Sequence, residues 1–152
     1  METSIDGYIR ESFQIKKRPI NTYSPLVLAY IGDGIYDLII RTKVVEEGNT
    51  NVNMLHLITS SYVKASAQSE MIEVILPHLT EEEESYYKRG RNANSHTMAK
   101  NASMIDYRKA TGFEALMGYL YLTDQLDRMM ELIRIGLEHF TPKLTKKHVR
   151  RR

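Results

Sequence analysis

The chain has no cysteine anywhere in its 152 residues. That absence excludes disulfides, thiolate zinc sites and cysteine nucleophiles, and nothing points to an oxidising compartment. Long apolar runs are missing too, so no stretch reaches the length of a membrane span, and the polar, mixed-charge opening METSIDGYIRESF is not expected to be a signal peptide. No Gly/Ser/Pro tract offers a linker, and there is no internal repeat or low-complexity segment. Common catalytic signatures are absent as well: there is no GxSxG elbow, Walker A loop, dinucleotide fingerprint or HExxH. What remains is a cytoplasmic protein of one domain, residues 1–152, with an N-terminal arm over about 1–20 and a basic tail over about 143–152.

What the chain does contain is unevenly placed charge. At 42% hydrophobic and 26% charged it has an ordinary globular composition, and its net charge is only +2. Yet the acidic run Glu81 to Glu84 is followed by SYYKRGRNANSHTMAKNASMI, which holds Lys88, Arg89, Arg91 and Lys100 and no acid until Asp106. The tail KLTKKHVRRR is basic throughout. Local field rather than total charge attracts phosphate, so two cationic segments on a nearly neutral chain suit contact with a polyanion. The tail alone fits a solubilising end equally well.

Every extended periodic segment has helical spacing and none alternates, so the fold class expected is all-α. A first strong helix begins at Ser24, a good N-cap followed by Pro25, and ends near Glu46 or Glu47 before Gly48. MLHLITSSYVKASAQSEMIEVILPHL reads as one long helix or two shorter ones, stopping around Pro77. Thr80 and Glu83 stand in capping-box spacing. Asp106 is expected to cap a helix running to about Leu122, and Asp124 another running to Pro142, whose Met-rich stripe serves as core or as a dimer face.

Two carboxylates stand out against this frame. Asp33, bracketed by Gly32 and Gly34, lies in a helix apolar nearly all round, which predicts a buried segment and a cationic partner for the acid. The glycines each cost about 1 kcal/mol in a helix relative to alanine, a cost that makes sense if another backbone packs close at that level. ATGFEALMGYLYL repeats the pattern, with Glu114 as its one charge and Gly112 and Gly118 on either side. Two such helices could cross so that Asp33 and Glu114 meet in a hard oxygen site suited to Mg²⁺, with Asp37 joining through a water. Buried salt bridges or helix-end hydrogen bonds are the competing reading of these acids. The segment KRGRNANSHTMAK, with Lys88, Arg89, Arg91, Asn92, Ser95, His96 and Lys100, mixes groups that hold phosphates and sugar hydroxyls, as in recognition of double-stranded RNA. A solvated loop is the alternative. Of the other histidines, His56 and His78 are expected in the core or on helix surfaces, and His139 and His148 near the basic end.

These residues resemble a known family. YIGDGIYDL is similar to the ribonuclease III signature, and GFEALMGYLYL to that family's second catalytic segment. LAYIGD, KRGRNA followed by Ser-His-Thr, and ATGFEALMGYLYL resemble in order and spacing the Mini-III ribonucleases, small bacterial members without the double-stranded-RNA-binding domain. The resemblance implies a ribonuclease III-type helical domain acting as a homodimer on double-stranded RNA. Its site would use Asp33 and Glu114 as catalytic, metal-binding residues with Mg²⁺, for which Mn²⁺ can substitute. It also implies a role in maturation of the large-subunit (23S) ribosomal RNA precursor, and leaves room for a ribosomal protein as a partner. Typical members carry further acids at the positions of Ala29 and Thr111, so the first coordination shell here is thinner. A non-catalytic double-stranded-RNA-binding or ribosome-associated protein on the same fold is the alternative that this thinning keeps open, and a helical dimerisation module with structural acids is a third.

Overall fold

The computed structural model describes residues 4–93 and 103–144, and every regular element among them is helical. In chain order the α-helices are α1 (Ile5–Phe13), α2 (Pro25–Glu47), α3 (Val52–Val63), α4 (Ala65–Ile75), α5 (Glu81–Arg91), α6 (Met104–Leu122) and α7 (Leu126–Glu138). Short 3-10 turns occupy Ile20–Thr22 and Leu76–His78.

Local chemistry accounts for most of the boundaries. The Ser24 hydroxyl accepts from the Val27 N–H and Pro25 opens α2, as the sequence predicts. At α5 the full capping box forms: the Glu83 N–H donates to Thr80 Oγ1 at 3.1 Å, and the Thr80 N–H donates to Glu83 Oε1 at 2.9 Å. The segment before Pro77 is two helices, broken at the extended Lys64. Two expected caps are displaced. Ser103, not Asp106, caps α6, which leaves Asp106 in the first turn where its charge suits the helix dipole. Asp124 does not cap α7, which follows Gln125; it adopts a left-handed backbone and receives the Ser4 hydroxyl at 2.7 Å and Lys17 Nζ at 3.1 Å. Those contacts tie down the N-terminal segment, which is not a simple arm. It forms α1, capped by Ser4, with Ile5, Tyr8, Ile9 and Phe13 at helical spacing.

α6 is the axis of the packing. A Cβ on Gly32 would lie 1.7 Å from the Glu114 carbonyl oxygen, and one on Gly118 would lie 2.0 Å from the Leu28 carbonyl oxygen, so α2 and α6 cross with backbones in contact. On another side of α6, a Cβ on Gly90 of α5 would sit 2.6 Å from the Ala115 Cβ, and Gly112 lies under the Tyr87 ring. Phe113, Leu116, Met117 and Leu120 of α6 are fully buried with Tyr36 of α2, Met71 and Ile72 of α4 and Leu132 of α7, and Phe113 meets Tyr36 edge-on at 4.8 Å. Met129 is buried in the core, whereas Met130 is only partly buried. Arg128 of α7 grips the buried Glu83 at 2.8 Å and donates to the His78 carbonyl, locking α5 to α7. His56 and His78 are exposed.

The expectation that α2 is buried all round fails. Leu26, Val27, Tyr30 and Leu38 are exposed, Tyr30 to 81%, and so are Asp33 and Gly34. The reason is that α6 covers one stripe of α2, centred on Leu28, Gly32, Ile35 and Tyr36, and the flank carrying Asp33 lies beside that crossing. Only the first of the two glycines around Asp33 has a packing role, because a Cβ on Gly34 would meet nothing within 4 Å.

The two glycine environments predict opposite mutational signs. Gly118→Ala forces backbones apart and is expected to cost at least about 3 kcal/mol, the upper end for overpacking. Gly34→Ala is expected to stabilise by up to about 1 kcal/mol through helix propensity alone. Urea unfolding of the two variants measures both, and equal effects would contradict this packing.

Candidate active site

The crossing at Gly32 determines where two acids go. Asp33 follows Gly32 directly and Glu114 supplies the carbonyl that Gly32 touches, so the two side chains emerge at one level of the α2–α6 interface. Their carboxylates are close enough to share a hydrogen bond. Asp33 faces solvent, whereas Glu114 is half-buried. Among the described residues no lysine, arginine or histidine forms an ion pair with either.

The electrostatic consequence falls on Glu114. Burial first, then the negative charge of Asp33 and the hydrogen bond shared with it, push the Glu114 carboxyl up to about 8, opposed by a hydrogen bond from Gln68. Gln68 of α4 was not singled out by sequence, yet its Nε2 approaches Glu114 Oε2 at 3.4 Å. It is 1% exposed, and its Oε1 is buried without a hydrogen-bond partner. The available signal was a polar residue on the buried side of α4, next to Ala67 and followed by Met71 and Ile72.

Two adjacent carboxylates whose charges disfavour each other, with no basic partner among the described residues, have the chemistry of a divalent-cation site. No group of three or more histidine, cysteine, aspartate or glutamate side chains that could hold a metal exists among the described residues. Mg²⁺ does not need one, since it keeps several waters and takes one or two protein carboxylates. The orphaned Gln68 Oε1 beside the pair is an acceptor such a water could use. The residues present therefore fit the ion. Asp37 does not join them directly, because its carboxylate takes the Arg41 Nε at 2.6 Å.

The cationic end of α5 lies at the same level of α6, where Gly90 packs on Gly112 and Ala115. Arg89 stacks over the Tyr86 ring at 4.1 Å, and Arg91 lies 5.6 Å from the Tyr87 ring centroid with its Nε bonded to Asn92 Oδ1. Lys88 pairs with Glu84. Tyrosine faces thus hold two guanidiniums at the basic end of α5. Ser95, His96, Lys100 and His148 lie outside the described residues.

Comparison with known proteins identifies relatives over most of the chain. Residues 26–125 match the family model described as the ribonuclease III domain. The chain is 44% identical over 138 residues to the Mini-ribonuclease 3 of Thermoanaerobacter sp. (strain X514), covering 91% of this chain and 97% of that one. It is 56% identical over 110 residues to the Mini-ribonuclease 3 of Enterococcus faecalis, covering 71% and 83% respectively. A crystal structure of a protein from Fusobacterium nucleatum superposes with a TM-score of 0.70 at 30% identity, covering 76% of this chain and 93% of that one.

The raised Glu114 pKa predicts a pH dependence of the metal-free protein. Between the ordinary value of 4.5 and about 8 the folded state keeps a proton that the unfolded chain has released, so stability is full below that window and falls as pH rises through it. Glu114→Gln is expected to flatten the dependence and to melt higher than the parent at pH 8 in chelator, by roughly 3 °C for each 1 kcal/mol regained. Parallel melting curves across pH for parent and variant would count against the coupled carboxylate pair.

Proposed function

The chain belongs to the ribonuclease III family, in its Mini-ribonuclease 3 branch, and from that membership we propose that this endoribonuclease is Mg²⁺-dependent and cleaves double-stranded regions of structured RNA at Asp33 and Glu114. The observation that carries this reading is the pair of adjacent carboxylates at the α2–α6 crossing, which has no basic ion-pair partner among the described residues. Asp33, on the exposed side, is the acid a substrate phosphate can approach, and the less exposed Glu114 would hold the ion with it. When bound, Mg²⁺ polarises the scissile phosphate, lowers the pKa of a water and offsets charge on the leaving oxygen. Mn²⁺ serves in the same oxygen site.

Arg89 and Arg91, with Lys88, Asn92, Ser95, His96 and Lys100, contact the RNA backbone and position the duplex. Such contacts make binding strongly salt-dependent. The working form is a homodimer. Val27, Leu38 and Val45 recur at spacings of eleven and seven residues along the exposed face of α2, next to the protruding Tyr30, and those apolar side chains suit a second copy. The natural substrate is the precursor of large-subunit ribosomal RNA in the cytoplasm, where a ribosomal protein is a fitting partner. No helix among the described residues is long and apolar enough to cross a membrane.

The test is incubation of purified protein with a long RNA duplex and with precursor ribosomal RNA, in Mg²⁺ or in chelator. Cleavage is expected only with the metal, and Asp33→Asn is expected to lower it by more than about 100-fold, beyond the range for groups that merely support a metal ligand. RNA binding by the variant should remain near that of the parent. Intact RNA under every condition, or undiminished cleavage by the variant, would contradict the proposal.

A further inference from the structure

Gln68 stands at the start of α4, buried among core residues. A polar side chain at that depth must satisfy its surroundings or be satisfied by them. Its Nε2 donates to the Val63 carbonyl at 2.8 Å and to Glu114 Oε2 at 3.4 Å. The first of these bonds fixes the orientation of the amide. Val63 ends α3, and its carbonyl at the helix terminus requires a donor, which only the nitrogen of Gln68 can provide. The corner between α3 and α4 therefore aims an N–H at Glu114.

The positions on α2 and α6 that could have done this work are otherwise occupied. Ala29 is buried and has no polar side-chain atom, and the Thr111 hydroxyl donates to the Tyr107 carbonyl of its own helix at 3.0 Å. Besides Asp33, Gln68 is the side chain that reaches the Glu114 carboxylate among the described residues. A neutral amide suits this place chemically. A lysine or arginine would neutralise the pair and compete with a cation, while another acid would add repulsion to two carboxylates already in contact.

We propose that Gln68 is a positioning residue of the site: through Nε2 it holds the Glu114 carboxylate in the orientation that faces Asp33, in place of the acids missing at Ala29 and Thr111. The proposal rests on the reading of Asp33 and Glu114 as metal ligands. Groups that orient a metal ligand without touching the ion commonly change metal affinity or activity by about 10–100-fold when removed.

Gln68→Met tests it, because methionine keeps the length and approximate volume while removing the donor and the unpartnered Oε1. The melting temperature should fall modestly, since the Val63 carbonyl loses its donor while the unpartnered Oε1 is removed with it. Mn²⁺ affinity by titration calorimetry without RNA should fall about 10–100-fold. Turnover of duplex RNA at limiting Mg²⁺ should fall by a similar factor, with KM for RNA unchanged and partial recovery at high Mg²⁺. Gln68→Leu should behave alike, guarding against a packing effect peculiar to methionine. Parent-like Mn²⁺ binding and turnover in both variants, or losses that only track a lower melting temperature, would overturn the role of Gln68. A parent that binds no Mn²⁺, or an Asp33→Asn variant that binds it as tightly as the parent, would instead overturn the metal reading and this proposal with it.

Discussion

Two backbones touch where α2 crosses α6, and the rest of the site depends on that contact. Only hydrogen fits at Gly32 and Gly118, whose absent Cβ atoms would lie 1.7 Å and 2.0 Å from carbonyl oxygens of the opposing helix. Close approach brings Asp33 and Glu114 from distant parts of the chain to one level, close enough to share a hydrogen bond. A crossing set by ordinary side chains keeps helix axes 8–10 Å apart. The glycines thus cost helix propensity at two positions and contribute the geometry on which the chemistry rests.

The same helix brings in the other parts. The Gly90–Gly112 contact seats the basic end of α5 on a second side of α6, and α4 packs on a third with Gln68 directed at Glu114. Acid pair, amide and guanidiniums therefore share a rigid support of buried helices, which suits groups that must hold a fixed mutual geometry. The arginines are held over tyrosine rings rather than on the carboxylates, leaving negative charge for a cation and positive charge for a phosphate.

Much of this is legible in the chain itself. A lone acid beside glycine in an apolar helix is costly twice over, and its recurrence around Glu114 points to a crossing before any coordinates are known. The capping box at Thr80 and the Ser24-Pro25 start are equally plain, because their hydrogen bonds are local. What the pattern hides depends on tertiary context. Asp33 and Gly34 are exposed because α6 covers only one stripe of α2, which hydropathy alone does not reveal in a helix apolar on most faces. Asp106 and Asp124 look like caps, but Ser103 takes the first role and the second acid is drawn to Ser4 and Lys17, more than 100 residues away in sequence. Gln68 is invisible as a site residue because its meaning comes entirely from the corner that orients it.

The most direct test of this account is the position of a divalent ion in crystals of the protein equilibrated with Mn²⁺, located by anomalous scattering. A peak contacting both the Asp33 and Glu114 carboxylates is the result expected. Mn²⁺ bound elsewhere, with these two acids still joined only to each other, would contradict it.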